Sequence, residues 1–168
     1  ATLSRFPHLS WTGFFFDISP SSGTLCHSLT GTTQSLNLPF AGRGRVRWLC
    51  RGRESRYDAS AGVMHFLPAD GESHTILVDV DEPALAYTLF LPRGHLDACA
   101  AEDHAGHAVE YHRLLIEDDT VLRSCVTRVA RCVSGTDANV GAQQDEAARR
   151  LVLLSTDIGI RPGNTPCD

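Results

Sequence analysis

Apolar and polar positions alternate with a period of two along the first two thirds of the chain, and the period then lengthens. Short alternating runs bounded by Gly, Pro, Asp and Ser predict strands at Gly13–Ile18, Thr24–Leu29, Thr33–Leu38, Arg45–Leu49, Glu54–Tyr57, Gly62–Leu67, His74–Val80, Ala84–Leu91 and Ala108–Ile116. Arg51-Gly52 predicts a tight hairpin turn between two of them. Pro92 to Ala101 predicts a short helix with Leu96 and Cys99 or Ala100 turned inward. After Asp118-Asp119, a helix N-cap with negative charge in the first turn, Leu122, Cys125, Val126, Val129, Cys132 and Val133 recur at helical spacing as far as Ser134. A loop of small polar residues from Ser134 to Gly141 precedes a second helix, Asp145 to Thr156, with Ala148, Leu151, Val152 and Ser155 on one face. Gly159, Pro162, Gly163 and Pro166 end regular structure.

A strand-rich body followed by two helices is an α+β pattern. The 168 residues make one domain. Its strand body covers 1–116, a helical pair of the same domain covers 117–157, and 158–168 reads as the start of a linker. No apolar run approaches the ~18 residues of a membrane span. The N-terminal stretch lacks a positive start, a continuous apolar core and a small-residue cleavage site, so it does not read as a signal peptide. All fifteen basic residues are Arg, and the net charge of −5 argues against bulk nucleic-acid binding by this chain. Six cysteines show no Cys-x-x-Cys or zinc spacing, and several sit in apolar surroundings, as reduced thiols of the cytoplasm do, with Cys50 or Cys99 as candidates for redox sensing.

The richest stretch is Gly42 to Val78. A Gly42-Arg43-Gly44 turn and the strand around Trp48 lead to a Pro-x-x-Gly-x-x-His element, Pro68, Gly71 and His74. This stretch resembles the strand pairs of a cupin barrel, and more closely the cupin-like sensor domain at the N-terminus of AraC-type transcriptional regulators. The resemblance covers roughly residues 12 to 157. It implies a cupin-like antiparallel β-barrel of jelly-roll type followed by two C-terminal helices. It also implies an effector-binding and homodimerisation role in the cytoplasm, with DNA contacted only through helix-turn-helix units that this chain does not contain.

Cupin metal sites use a His-x-His pair and a Glu from one strand pair and a third His from another. Here the second element departs by one extra residue between Pro68 and Gly71, and the first is missing: TLCHSLTGTTQSLNL carries only His27. No metal, cofactor or catalytic residue is therefore assigned. His74 is expected as a turn histidine bonded to backbone, and His65, flanked by Val63 and Leu67 on one face, as a satisfied core histidine. His104, His107 and His112 read as surface histidines. In the strand Arg45–Leu49, Val46 and Trp48 share one face and Arg45 and Arg47 the other. The arginines read as a solvated face, or as Arg45 or Arg47 pointing into the barrel mouth toward a ligand carboxylate.

The reading is an effector site lined by Phe14, Phe16, His27, Arg45, Trp48, His65, His74 and Tyr87. The dimer seam is expected along Leu122, Cys125, Val126, Val129 and Cys132. The rivals are a metal-dependent cupin dioxygenase or isomerase, and a dimerisation domain with a filled barrel.

Overall fold

The structure, a computed structural model, describes residues 11–30, 33–103, 111–132, 140–155 and 164–166. Its strands are β1 (Thr12–Ile18), β2 (Leu25–Thr30), β3 (Gln34–Ala41), β4 (Gly44–Cys50), β5 (Arg53–Ala59), β6 (Val63–Leu67), β7 (Ser73–Val80), β8 (Ala84–Leu91), β9 (Leu114–Glu117) and β10 (Asn164–Pro166). The helices are α1 (Arg93–Asp103), α2 (Thr120–Cys132) and α3 (Val140–Ser155).

The first eight strands pair as nested antiparallel couples, β4 with β5, β3 with β6, β2 with β7 and β1 with β8. They form one long hairpin rolled on itself. At its tip Arg51 and Gly52 both have positive φ, 52° and 72°, as a two-residue turn between twisted strands requires. Further pairing of β3 with β8 and of β4 with β7 produces two sheets, β1-β8-β3-β6-β9-β10 and β2-β7-β4-β5. This strand order is a jelly roll. The antiparallel jelly roll expected above is present, as two facing sheets that both keep free edges and do not close into a barrel.

Most of the core lies outside the sandwich. Leu36, Leu38, Phe66, Leu89 and Leu114 point from the larger sheet toward the helices and pack with Leu96, Leu122, Val126, Val129 and Leu151. Each fully buried Leu or Phe contributes about 1.5–3 kcal/mol, so this helical layer carries most of the stability. The space between the sheets holds a smaller cluster, Val46, Trp48 and Leu67, with Tyr57, Ile76 and Val78 partly buried against it.

Asp119 caps α2 by accepting from the Leu122 amide at 2.9 Å, and its other oxygen accepts from Arg150 of α3 at 2.7 Å. The apolar stripe of α2 is spent on this packing. Leu122, Val126 and Val129 are fully buried and Cys125 nearly so. The dimer seam expected along these residues is therefore corrected: they face the domain's own core, and a partner would need another surface. The side chain of Cys132, and Val133, lie outside the described residues.

α3 begins at Val140, ahead of the expected Asp145. Asp145 is not a first-turn acid but a buried partner of His95 in α1, at 2.9 Å. The tail does not end regular structure at Gly159: Asn164–Pro166 pair with β9 as a new sheet edge, where proline is tolerated. Among the described residues the final body strand is Leu114–Glu117, and the expected start at Ala108 lies outside them. His104 and His107 lie outside the described residues, and His112 is half-buried. No helix among the described residues is long and apolar enough to cross a membrane.

Candidate functional site

Directly opposed residues of antiparallel strands share a face, so the register defines what lines the space between the sheets. On the smaller sheet, Trp48 stands opposite Ile76, which stands opposite His27, and Cys50 stands opposite His74. On the larger sheet, His65 stands opposite Asn37, Asn37 opposite Thr88, and Thr88 opposite Phe14. Phe16 lies on the face of Phe14, with ring centroids 6.0 Å apart, and reaches across to His27 at 6.4 Å. Six of the residues assigned from the sequence, Phe14, Phe16, His27, Trp48, His65 and His74, therefore do face one space. Phe14 is 51 % exposed and His27 is exposed, so they form an open mouth. Trp48, His65 and His74 are buried within.

Two assignments are corrected. Tyr87 lies on the other face of its strand, buried against the helical layer beside Phe15, with ring centroids 4.4 Å apart. Arg45 lies on the outer face of β4 and is held by Asp81 through two hydrogen bonds of 2.6 and 3.1 Å. There it borders a shallow cleft of about 300 Å3 with Arg43, Asp58, Ser60 and Asp81, away from Trp48. Arg47 also faces outward, toward Glu54.

The interior is organised by a side-chain relay. The Trp48 indole N–H donates to His74 Nδ1 at 3.0 Å, and His74 Nε2 lies 3.0 Å from Asp70 Oδ2. Because Nδ1 accepts, the proton of the neutral ring sits on Nε2 and is donated to the carboxylate. Asp70 is set by the turn after β6, where it also accepts from the Glu72 amide at 2.9 Å and Gly71 takes φ 75°. The backbone-bonded turn histidine expected at position 74 is thus corrected: both ring nitrogens are spent on side chains.

His65 is the second correction. It is buried, 3 % exposed, against Trp48 with centroids 4.0 Å apart, yet its Nε2 has no hydrogen-bond partner. Burial first, and then the charge of the nearby Arg113, hold its imidazole well below the ordinary range, so the ring is neutral. Arg113 enters from the residue before β9. Its Nη2 donates to Ser55 at 2.8 Å, its guanidinium carbon lies 5.3 Å from the Trp48 ring, and its Nε is buried without a partner. Arg113, Asp70 and Tyr57 were not singled out from the sequence. An acid four residues before His74 in a Pro-Gly turn was a usable signal for Asp70; nothing local marks Arg113.

Among the described residues no group of three or more His, Cys, Asp and Glu is arranged to hold a metal ion. Cys26, Cys50 and Cys125 are free thiols, and Cys99 is buried. Burial pushes the Cys50 thiol up, and Cys125 is pushed up to about 11, so neither is poised as a thiolate.

The fold defines a class: a jelly-roll sandwich carrying a helical layer on one sheet. No family model matches the chain, and no curated protein matches it. Solved structures of ToxT from Vibrio cholerae share the fold. An apo variant from strain SCE256 superposes with a TM-score of 0.57 at 10% identity, over 82% of this chain and 53% of that one. ToxT from strain O395 gives 0.58 at 7%, over 82% and 52%. A further ToxT structure gives 0.57 at 6%, over 85% and 58%. The chain thus spans about half the length of the structures it matches.

Proposed function

We propose that this chain is the effector-binding domain of an AraC-type transcription regulator acting in the cytoplasm, with a small molecule entering between the two sheets. The observation that carries this reading is the inter-sheet space itself. Its aromatic mouth at Phe14 and Phe16 is open, and its floor presents His65 with an unsatisfied ring nitrogen. A domain built only to dimerise has no use for an unsatisfied buried nitrogen and would satisfy it. The likeness to ToxT in fold and in share of length is consistent with a regulatory half joined to a DNA-contacting half outside this chain. The acidic balance of the chain fits that division.

An effector would change the distance between the sheets at Phe16 and His27. It would bias the packing of the larger sheet on α1–α3, and so the position of whatever follows. A metal-dependent enzyme is the weaker reading, since His74 spends both nitrogens on Trp48 and Asp70.

A thermal-shift screen of small organic molecules against this chain, with Trp fluorescence as a second readout, tests the proposal. At least one chemical class is expected to raise the melting temperature saturably, and Phe16→Ala to weaken that response. A screen without any response, or specific salt-sensitive DNA binding by residues 1–168 in a gel shift, would overturn it.

A further inference from the structure

We propose, independently of the effector-binding reading, that β1 is a docking edge for a second copy of this chain. The two β1 strands pair antiparallel about a two-fold axis through Phe15 and join the larger sheets of the two copies into one.

The sheets end at β1 and β10 and at β2 and β5, and these edges are not alike. Unpaired amides and carbonyls on an edge recruit other strands unless charge, proline or polar side chains blunt it. β5 carries Arg53, Glu54, Arg56 and Asp58, β10 ends in Pro166, and β2 shows Cys26, His27 and Ser28 to solvent. β1 has a single charge in its seven residues, Asp17, and among the described residues it pairs only with β8. Yet Phe14 is 51 % exposed and Phe15 46 % exposed. The two rings point to opposite faces. Phe15 lies against Phe40 and Tyr87, and Phe14 against Phe16 and Phe90. An edge that is apolar on both faces fits another strand, which also presents side chains on both faces, rather than a compact ligand on one of them.

Symmetry selects a second copy as that strand. Phe14-Phe15-Phe16 reads the same in both directions, as a pair related by a two-fold axis requires. An axis through Phe15 sets Phe15 opposite the partner's Phe15, Phe14 opposite the partner's Phe16, and Gly13 opposite the partner's Asp17. The two Asp17 carboxylates then stand at opposite ends of the pair, roughly 13 Å apart, so no like charges meet.

Gly13 also supplies a polar match. The Tyr87 hydroxyl oxygen lies 2.5 Å from the place of a Cβ on Gly13. Neither this hydroxyl nor Asp17 has a hydrogen-bond partner among the described residues. Pairing lays the partner's Asp17 carboxylate across Gly13, in front of an O–H donor that is otherwise unused, and the symmetry repeats the contact. With about half of each ring's ~200 Å2 open, four rings bury about 400 Å2. That is well below the ~1,200 Å2 of a stable complex, so strand hydrogen bonds add the rest and the dimer is reversible, in the micromolar range.

Sedimentation velocity of the chain across about 5 to 500 μM is expected to show monomer giving way to dimer. Phe15→Lys sets like charges opposite each other at the axis and should leave only monomer, with the circular dichroism spectrum unchanged. Phe15→Cys tests the register and serves alone if the Lys variant does not fold. Opposed Cβ atoms lie about 5 Å apart, so mild oxidation should link Phe15→Cys into a disulfide dimer. Wild type, with its exposed Cys26, and Val121→Cys, on the similarly exposed face of α2, should stay unlinked. A wild type that is monomeric throughout, a dimer that survives Phe15→Lys, or equal linking of Val121→Cys overturns the proposal. So does a chain that dimerises only once residues 1–10 are removed, since that segment would then hold the edge.

Discussion

The Trp48 indole N–H donates to Nδ1 of His74 at 3.0 Å, and this bond decides what His74 is. It assigns the ring proton to Nε2, directs that proton to Asp70 at 3.0 Å, and leaves the histidine no free lone pair. The same order of groups recurs in the helical layer, where Trp11 donates to His95 Nδ1 at 2.8 Å and His95 Nε2 lies 2.9 Å from Asp145. One relay pins β4 to β7 and the turn before it. The other pins the entry of β1 to α1 and α3.

Removing the middle member of the first relay should be expensive. His74→Ala leaves the buried Trp48 N–H without an acceptor and opens a cavity, at a cost of about 3 kcal/mol. Asp70→Asn keeps an oxygen for the His74 N–H and should cost about 1 kcal/mol. Urea unfolding monitored by Trp fluorescence measures both. Equal losses would show that the relay is not what holds the ring.

His65 makes stability depend on pH. Its folded-state affinity for protons is depressed, so below about pH 6.5 the unfolded chain binds a proton that the folded chain refuses. Stability from this group is complete above that value and falls as pH drops below it, by up to about 1.4 kcal/mol per pH unit. In His65→Leu the decline between pH 7 and 5 should flatten. Parallel urea midpoints for wild type and variant across that range would refute the assignment.

On α2 neighbouring positions should behave in opposite ways. Leu122 is fully buried, whereas Val121 is 48 % exposed. Leu122→Ala should cost about 2–5 kcal/mol and Leu122→Glu should prevent folding, because it buries an unpaired carboxylate. Val121→Glu should stay within about 0.5 kcal/mol of wild type. Thermal melts followed by circular dichroism separate these outcomes, and a folded Leu122→Glu protein would place the α2 stripe outside the core after all.

Gly13 is needed for space. A Cβ there would lie 2.5 Å from the Tyr87 hydroxyl oxygen and 2.7 Å from two ring carbons. Gly13→Ala is expected to destabilise by about 1–3 kcal/mol, and Tyr87→Leu in the same chain to restore part of the loss. The double-mutant cycle reads the coupling directly. Additive effects would mean that the ring can swing away.

Local physics was written plainly in the chain. Alternation and turn residues located β1–β8 to within a few residues, and β8 matches its expected bounds, Ala84–Leu91. The positive-φ hairpin at Arg51-Gly52 and the cap at Asp119 follow from residue type and neighbours alone. The grouping of Val46 with Trp48, opposite Arg45 and Arg47, is likewise a consequence of the strand period.

What tertiary structure decided is which of two apolar faces looks where. The larger sheet is covered on both sides, by helices and by the second sheet, so β8 is apolar at Tyr87 and at Phe90 alike, and nothing in its period says which face meets the inter-sheet space. Register settles it: Tyr87 pairs with Phe15 and goes to the helices, while Thr88 pairs with Phe14 and goes to the interior. Polar partners separated along the chain, such as Ser55 and Arg113 or His95 and Asp145, are joined only when the hairpin rolls up and the helices dock. Period and propensity act over a few residues, whereas these contacts depend on the whole fold and carry no local signal.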